Sequence, residues 1–333
     1  MITRERNTRG ARSLWSLLGP IVALGTALSI IPLWLDHSGV LMGVAVLGLA
    51  FACYAIGFNV IFGSTGQLFL CVGALAGIGG YGGAILADTV GLPVVVSILL
   101  ATLLSCVTGG LLSLIAVYRS LGVIFTGIIT LIFTLTFDAL LLGLGSLTGG
   151  EDGFLIKAGA DTFLRQRIPP YYLMLALVVA FLLLHGLLGR SHVGWAWRAL
   201  RDDELAAELA GIDVARYRVY GALAGAAMLG LAGATYAFTE GRISPTTFGF
   251  AQVDVVVLVM LAFGGIGTLV GPVLGAATFT VVDEILIEFG QLRLVIYGAL
   301  VLLLFLFLRR GVIPTARDFA AKRRLSQASA APD

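Results

Sequence analysis

Charged residues are scarce in this chain of 333 residues: aspartate, glutamate, lysine and arginine make up 12% of it, whereas apolar residues make up 59%. A soluble domain typically has about 25% charged residues, and so large a deficit is typical of α-helical membrane proteins. The longest polar segments have about 20 to 30 residues, too few to bury a core of their own. The composition therefore excludes a soluble protein and a separate soluble domain.

The residue patterns of common catalytic and cofactor sites are missing too. Lys157 and Lys322 are the only lysines, and neither completes the G-x-x-x-x-G-K-[ST] loop that binds nucleotide phosphates. The three histidines and three cysteines are scattered, without the spacing of a zinc site or a disulfide framework. We therefore expect this chain to bind no cofactor, metal or nucleic acid itself. A membrane enzyme is the third and least favoured function, because no active site is visible.

Long apolar runs dominate the chain instead. About 20 residues are needed to cross the hydrocarbon core of a bilayer. Ten runs approach that length: 14–35, 40–62, 68–90, 93–117, 121–146, 170–189, 218–238, 253–270, 272–289 and 292–308. We predict an all-α, polytopic integral membrane protein in contact with lipid, with about ten transmembrane helices, or as few as eight if glycine-rich breaks are re-entrant. One transmembrane domain is predicted over 14–313, between a basic N-terminus at 1–13 and a disordered tail at 314–333.

The distribution of positive charge orients these spans. Sixteen of the 21 lysines and arginines fall on the side of the N-terminus, and five fall on the other side: Lys157, Arg165, Arg167, Arg242 and Arg293. Positive residues are enriched in cytoplasmic loops. Both termini and the polar interval 190–218 are therefore predicted to be cytoplasmic, and the loop 147–169 is predicted to lie outside.

The interval from Ser191 to Arg218 is the longest strongly polar stretch between the two apolar halves. It predicts two short helices that meet at a corner, with Leu205, Leu209 and Ile212 forming one apolar stripe. Gly211 is suited to end the second helix, and Asp213 is suited to cap the next one. Such an amphipathic helix between membrane spans indicates a docking element; a solvated loop is the alternative.

Acidic residues within apolar runs are a further candidate feature, because burying a charge in lipid is costly. Asp138 lies in the fifth run, and Asp283 and Glu284 lie in the ninth. In an ion-coupled secondary transporter they would carry protons or ions. In the structural alternative they lie near membrane ends or accept hydrogen bonds from neighbouring helices.

Two glycine-rich breaks, 59–67 and 264–272, interrupt the apolar runs. Irregular backbone at membrane depth is tolerated only where protein or a water-filled cavity covers it, so such breaks point to a translocation path. Tight turns at the membrane surface are the alternative. The fifth run also carries a row of threonines, suited to helix packing or to a weakly polar pore wall, at Thr126, Thr130, Thr134 and Thr136.

Six motifs in order resemble the permease subunits of bacterial branched-chain amino-acid ABC importers, of the M-type (LivM-like). The resemblance covers roughly residues 55–312 and rests on Gly66-Gln-Leu with Gly77-Ile-Gly and Tyr81; on Gly122, Phe125, Thr130-Leu131 and Phe133; on Ser146-Leu-Thr-Gly-Gly-Glu-Asp-Gly153; on Arg198-Ala-Leu-Arg-Asp-Asp-Glu-Leu-Ala-Ala-Glu-Leu-Ala-Gly-Ile212; on Ile243-Ser-Pro-Thr-Thr-Phe248; and on Gly264-Gly-Ile-Gly-Thr-Leu-Val-Gly-Pro-Val-Leu-Gly275.

The resemblance implies an inner-membrane permease subunit of an ATP-driven importer. Its partners would be a second permease subunit, two cytoplasmic ATPases that bind ATP and Mg²⁺, and an external solute-binding protein. The interval 191–218 would be the coupling loop, with the contact carried by Arg201, Asp202, Glu204, Leu205, Glu208, Leu209 and Gly211. Candidates for the path and its outer mouth are Asn59, Gln67, Thr130, Thr134, Thr148, Gly149 and Gly150.

The solute is the open part of this interpretation. After Gly66-Gln-Leu the family usually carries a small or polar run, whereas this chain has Phe69, Cys71 and Val72. If that helix lines the path, its wall is more apolar than usual, which points away from an ordinary branched-chain amino acid. The solute is therefore expected to be a branched-chain (hydrophobic) amino acid or a related small solute, since similar proteins also carry urea, short amides and aromatic acids. The rival function is a secondary transporter that uses Asp138 or Asp283.

Overall fold

The computed structural model describes residues 18–32, 39–159, 163–287, 289–290 and 311–315, and the positions 292, 295, 296, 298, 299 and 302. Within these residues the chain is a helical bundle with one two-stranded sheet. The helices are α1 Leu18–Pro32, α2 Gly39–Phe58, α3 Val72–Asp88, α4 Val94–Tyr118, α5 Val123–Gly143, α6 Gly145–Thr148, α7 Pro169–Arg190, α8 His192–Asp202, α9 Glu204–Leu209, α10 Val214–Glu240, α11 Val255–Gly264 and α12 Gly271–Ile287.

Six helical segments of the described chain are long and apolar enough to cross a membrane: Gly39–Ser64, Val94–Tyr118, Val123–Gly143, Pro169–Arg190, Val214–Glu240 and Pro245–Gly264. The all-α, polytopic class predicted from composition is confirmed. The total of ten spans and the side of the termini stay predictions. The basic N-terminus, eleven of the seventeen residues of the run 292–308, and the tail after residue 315 lie outside the described residues.

Two of the predicted spans are wrong in their bounds. The run 68–90 is not one helix, because residues 66–71 are non-helical and α3 begins only at Val72. The run 253–270 belongs to a segment that begins with a 3-10 turn at Pro245–Phe248, continues as a π-helix at Phe250–Asp254, and ends at Gly264. In both places the length of the apolar run did not show that part of the backbone leaves the regular α-helix.

Helix α10 is the most buried of the long helices and packs against α3 and α4 through small residues. A Cβ built on Gly79 of α3 would overlap the backbone of Gly230, and one built on Gly233 would overlap the backbone of Ala76. Lipid tails provide no hydrophobic drive for helix association, so this close approach supplies van der Waals stabilisation instead.

The two ends of the bundle carry different elements. At the sheet end, β1 Phe154–Leu155 pairs antiparallel with β2 Arg242–Ile243. There the carboxylate of Asp88, at the end of α3, accepts hydrogen bonds from the backbone N–H groups of Lys157 (2.7 Å) and Ala158 (2.6 Å). At the opposite end, called the α9 end, lie α8, α9, the α4–α5 connection and the turn at 265–270.

The first glycine-rich break carries non-helical backbone into the bundle. Helix α2 continues as a π-helix at Asn59–Ser64, and the non-helical residues 66–71 then lead to α3. Along the same stretch Thr65 packs against Gly221 of α10, and Ala76 packs against Gly233. Gly221 and Gly233 are twelve residues apart on α10, which corresponds to a distance of about 18 Å along the helix axis. The break is therefore a re-entry into the bundle and not a turn at its surface.

The second break combines an irregular segment with a tight helical hairpin. Gly264 packs against Gly271, and Met260 packs against Gly275, so α11 and α12 are antiparallel and in contact. The turn between them lies at the α9 end, where Gly267 meets Arg201. Here the interpretation as a tight turn is correct, and the irregular backbone at depth is instead the stretch 244–254 that precedes α11.

Candidate functional site

Two threonines of α5 provide hydrogen-bond partners for the non-helical segment 66–71. The backbone N–H of Leu70 donates to Thr130 Oγ1 at 2.9 Å, and Thr134 Oγ1 donates to the carbonyl of Leu70 at 2.9 Å. Both threonines are almost fully buried. An unpaired backbone group away from water costs several kcal/mol in a membrane. The threonine row therefore replaces the missing partners of a non-helical backbone, and in this conformation Thr130 and Thr134 do not line open space.

Asp254 performs the same task for the first turn of α3. Its Oδ1 accepts a hydrogen bond from the N–H of Val72 at 2.5 Å, and its Oδ2 accepts one from the N–H of Gly73 at 3.3 Å. The residue is 1% exposed. A negative charge is stabilised at a helix N-terminus, where N–H groups have no intrahelical partner. Asp254 is thus a cap for α3 supplied from a segment 182 positions away.

Asp138 forms a second, weaker cap at the neighbouring helix start. Its Oδ2 accepts a hydrogen bond from the N–H of Phe250 at 3.3 Å, where the π-helix leading into α11 begins. Its Oδ1 is buried and has no hydrogen-bond partner among the described residues. The N-termini of two broken helices, α3 and 250–264, thus meet inside the bundle, each against one carboxylate. We name residues 65–73 and 244–254, with Asp138, Thr130 and Thr134, the broken-helix site.

Glycines on one face of α3 let the two broken segments approach. A Cβ at Gly73 would overlap the carbonyl oxygen of Phe248, and a Cβ at Gly80 would lie 2.7 Å from the Phe248 ring. At Gly77 a Cβ would lie 2.6 Å from the ring of Phe137. The three glycines are spaced at i, i+4 and i+7, so they form one stripe that receives the segment before α11.

Asn59 and Gln67, both predicted to lie on the path, are buried at either side of the first break. Asn59 Nδ2 donates to the carbonyl of Thr268 at 2.9 Å, and its Oδ1 accepts from the N–H of Gly267 at 2.7 Å. Gln67 Oε1 accepts a hydrogen bond from Ser113 Oγ of α4 at 3.1 Å. Asn59 joins the two glycine-rich breaks, which the sequence pattern did not reveal.

The residues predicted for the outer mouth form a compact turn at the end of α5. The hydroxyl of Thr148 lies 2.5 Å from the carbonyl oxygen of Leu141 and 3.0 Å from that of Leu144. Gly149 and Gly150 have φ angles of +78° and +55°, which L side chains rarely adopt. This turn leads directly into β1, so it is part of the sheet end.

The polar interval forms two short helices that meet at a corner, as its sequence predicts. The predicted apolar stripe is wrong in one member, because Ile212 lies beyond the end of α9 and packs against the core. Ser191 Oγ accepts from the N–H of Gly194 at the start of α8, and Asp203 Oδ1 accepts from the N–H of Ala206 at the start of α9. Gly211, with a φ of +85°, ends this corner, and Asp213 Oδ1 accepts from the N–H of Arg216 at the start of α10. These local caps fix α9 at the surface.

The apolar side chains of α9 point to solvent. Leu205 is 66% exposed and Leu209 is 82% exposed, while Ala207 on the opposite face is buried. Arg218 of α10 anchors α9 by donating hydrogen bonds to both carboxylate oxygens of Glu204, at 2.7 and 2.8 Å. A short helix is thus fixed firmly while it presents two leucines on a polar surface.

The other residues predicted for coupling also lie at this surface. Arg201, Asp202 and Glu208 are exposed, and Glu208 and Gly211 line an open groove of about 600 Å³ between α9 and the α4–α5 connection. Arg201 in addition contacts the bundle, where its Nη1 donates to the carbonyl of Gly63 at 3.3 Å. Asp283 and Glu284 lie half-exposed on α12, remote in sequence from both sites.

Sequence reasoning missed Asp254, the most buried carboxylate of the broken-helix site. It lies at the edge of the apolar run 253–270 and therefore resembles a boundary residue. Asp254 follows Gly249 and directly precedes a long apolar stretch. An acidic residue in this position is a signal for the start of a helix. That signal was available from the sequence, but the identity of the capped helix was not.

A polytopic helical bundle with broken helices and a fixed polar helix at one end defines a membrane transport protein. Residues 40–308 match the family described as branched-chain amino acid transport system / permease component, so the chain belongs to that family. The high-affinity branched-chain amino acid transport system permease protein LivM of Salmonella typhimurium is 30% identical over 300 residues, which cover 82% of this chain and 70% of the relative. LivM of Escherichia coli gives the same identity and coverage. No solved structure gives a significant match.

Proposed function

We propose that this chain is the membrane-spanning permease subunit of an ATP-driven importer in the bacterial inner membrane. It works with a second permease subunit, two cytoplasmic ATPases and an external solute-binding protein. ATP and Mg²⁺ bind to the ATPases, and α9 couples hydrolysis to transport. The probe solute is leucine, because the relatives are named for branched-chain amino acids.

The exposure of Leu205 and Leu209 is the observation that carries this proposal. A surface helix held by two caps and an ion pair has no need of two exposed leucines for its own stability. Large apolar side chains rimmed by charged residues mark protein interaction sites. The surrounding charges, Asp202, Glu204 and Glu208, give this surface the polar rim that a transient interface has.

The branched-chain solute also agrees with the position of the unusual residues after Gly66-Gln-Leu. Phe69, Cys71 and Val72 are at most 1% exposed and lie in the hydrophobic core. Their apolar character therefore serves packing in this conformation and does not require a different solute class.

The test is affinity purification of the tagged chain from native membranes, followed by mass spectrometry. We expect a second permease and P-loop ATPases to accompany the wild-type chain. In the double variant Leu205→Asp/Leu209→Asp the ATPases should be lost while the second permease remains. Burial of two leucines stabilises an interface by about 3 kcal/mol or more, so the affinity should fall at least about a hundredfold.

The control is Ala206→Asp, which adds one negative charge, half of that in the double variant, at an exposed position beside the leucine pair. It should keep the ATPases bound. Retention of ATPases by the double leucine variant would contradict the proposal. A chain that is purified alone and moves leucine into liposomes without ATP would instead be a secondary carrier, and Asp138→Asn would then abolish ion-coupled uptake.

A further inference from the structure

Arg201 links the polar interval to the interior of the bundle. It lies in the last turn of α8, two residues before the cap of α9. Its Nη1 donates to the carbonyl of Gly63 in the π-helix Asn59–Ser64, at 3.3 Å. A Cβ built on Gly267 would overlap the same nitrogen, so the guanidinium also contacts the turn between α11 and α12.

Asn59, which belongs to the π-helix, binds the same turn between α11 and α12 that Arg201 contacts. It is fully buried and binds both the N–H of Gly267 and the carbonyl of Thr268. Arg201 from outside and Asn59 from inside therefore hold the π-helix and the α11–α12 turn together. Three sequence segments that are far apart along the chain move as one unit if these bonds persist.

This unit connects directly to the broken-helix site. The π-helix continues into the non-helical segment 66–71, which ends at the N-terminus of α3. The turn is preceded by α11, whose 10 residues form a rigid element of about 15 Å. At the far end of α11, Asp254 binds Val72 and Gly73 of α3. Two connections therefore join Arg201 to the start of α3, one through residues 59–71 and one through the turn and α11.

The elements of these two connections are suited to a change of conformation. A π-helix is an uncommon state that tends to occur at functional sites and that a helix can exchange for a regular turn. Gly265 and Gly267 have φ angles of +110° and +76°, so the turn can rearrange without side-chain obstruction from these two residues. An arginine offers several donors in a fixed plane and can keep contact with both partners during a shift.

We propose that Arg201 is the positioning residue that transmits a displacement of α9 to the broken-helix site. The inference rests on the proposed coupling function. It assigns the outward-facing leucines to partner binding and Arg201 to transmission inward.

Hydrogen–deuterium exchange of the complete complex tests this division of roles. The complex is purified in nanodiscs and compared without nucleotide and after trapping with ATP and orthovanadate. In the wild type we expect trapping to change exchange in α9 and also in the segments 59–71 and 263–270. If α9 responds and neither of those segments does, the proposal is overturned.

The variant Arg201→Gln should keep the ATPases bound and keep the change in α9. The changes in 59–71 and 263–270 should fall about tenfold, a size within the range of mutational effects on coupling. ATP-driven leucine uptake per ATP hydrolysed should fall with them, and Arg201→Lys, which retains a donor and the charge, should restore part of both. Unaltered exchange changes in Arg201→Gln would overturn the proposal.

Arg198→Gln is the matched control. Arg198 lies one turn earlier on α8, and its guanidinium bonds only toward its own helix and α7, at Gly194 and Gly189. This variant should behave as the wild type. If the ATPases are absent from both the wild type and the leucine double variant, the result counts against the proposed function. If Arg201→Gln keeps the ATPases and the wild-type exchange changes in 59–71 and 263–270, the result counts against the transmission role alone.

Discussion

Asp254 caps α3 from a distant segment, and its replacement should weaken the broken-helix site in a graded manner. Alanine removes the acceptors of both Val72 and Gly73, and each buried N–H left without a partner costs about 1–3 kcal/mol. Removal of a buried carboxylate also relieves its own desolvation cost. We therefore expect Asp254→Ala to lower the free energy of unfolding by about 2–4 kcal/mol.

Asparagine separates the two hydrogen bonds. It retains one carbonyl oxygen for the 2.5 Å contact to Val72 and places an amide nitrogen toward Gly73, which leaves one N–H unpaired. The expected loss for Asp254→Asn is therefore about 1–3 kcal/mol. Asp138→Asn keeps an acceptor for its single 3.3 Å bond from Phe250 and should cost less than about 1 kcal/mol.

The free energies are measured by steric-trap unfolding in bicelles, and amide exchange at residues 71–75 reports on the cap itself. Faster exchange at Val72 and Gly73 should accompany both Asp254 variants. An Asp254→Ala protein with wild-type stability and wild-type exchange at these two amides would refute the assignment of Asp254 as the cap.

Two further variants test the packing and the backbone partners. Gly233→Ala places a methyl group against the backbone of Ala76 and should lower the stability by about 1–3 kcal/mol. Its control is Gly43→Ala, which has open space around it and should leave the stability unchanged or raise it by up to about 1 kcal/mol. Thermal denaturation measures both. Thr130→Val removes the acceptor of the Leu70 N–H and should cost about 1–3 kcal/mol; the exposed Thr136→Val, whose hydroxyl bonds only within α5, should change stability little. Equal effects of either variant and its control would show that the contact is unimportant.

The polar interval could be predicted in detail because its structure is local. The caps at Asp203 and Asp213 and the turn at Gly211 act within three or four residues of chain. The apolar stripe was also predicted, but the sequence did not show that Leu205 and Leu209 face solvent while Ala207 is buried. Which side of an amphipathic helix is free depends on what packs beneath it.

The broken-helix site was only partly predictable. The breaks themselves are visible as glycine-rich interruptions, since glycine permits both the turns and the close approach of helices. The run 68–90 nevertheless has the composition of a complete span, and nothing local shows that residues 66–71 are non-helical. That state is stable only because Thr130, Thr134 and Asp254 supply partners for its backbone and for the start of α3.

The sequence by itself determined that this chain is a polytopic helical membrane protein, because apolar length and low charge follow directly from the solvent it must occupy. It also determined the polar corner at one end and the similarity to a permease family. Tertiary structure alone decided which helices are broken, which carboxylate caps α3, and that Arg201 contacts the bundle. These features depend on hydrogen bonds between residues as far apart as Asn59 and Thr268, 209 positions along the chain, and no local pattern records such a pairing.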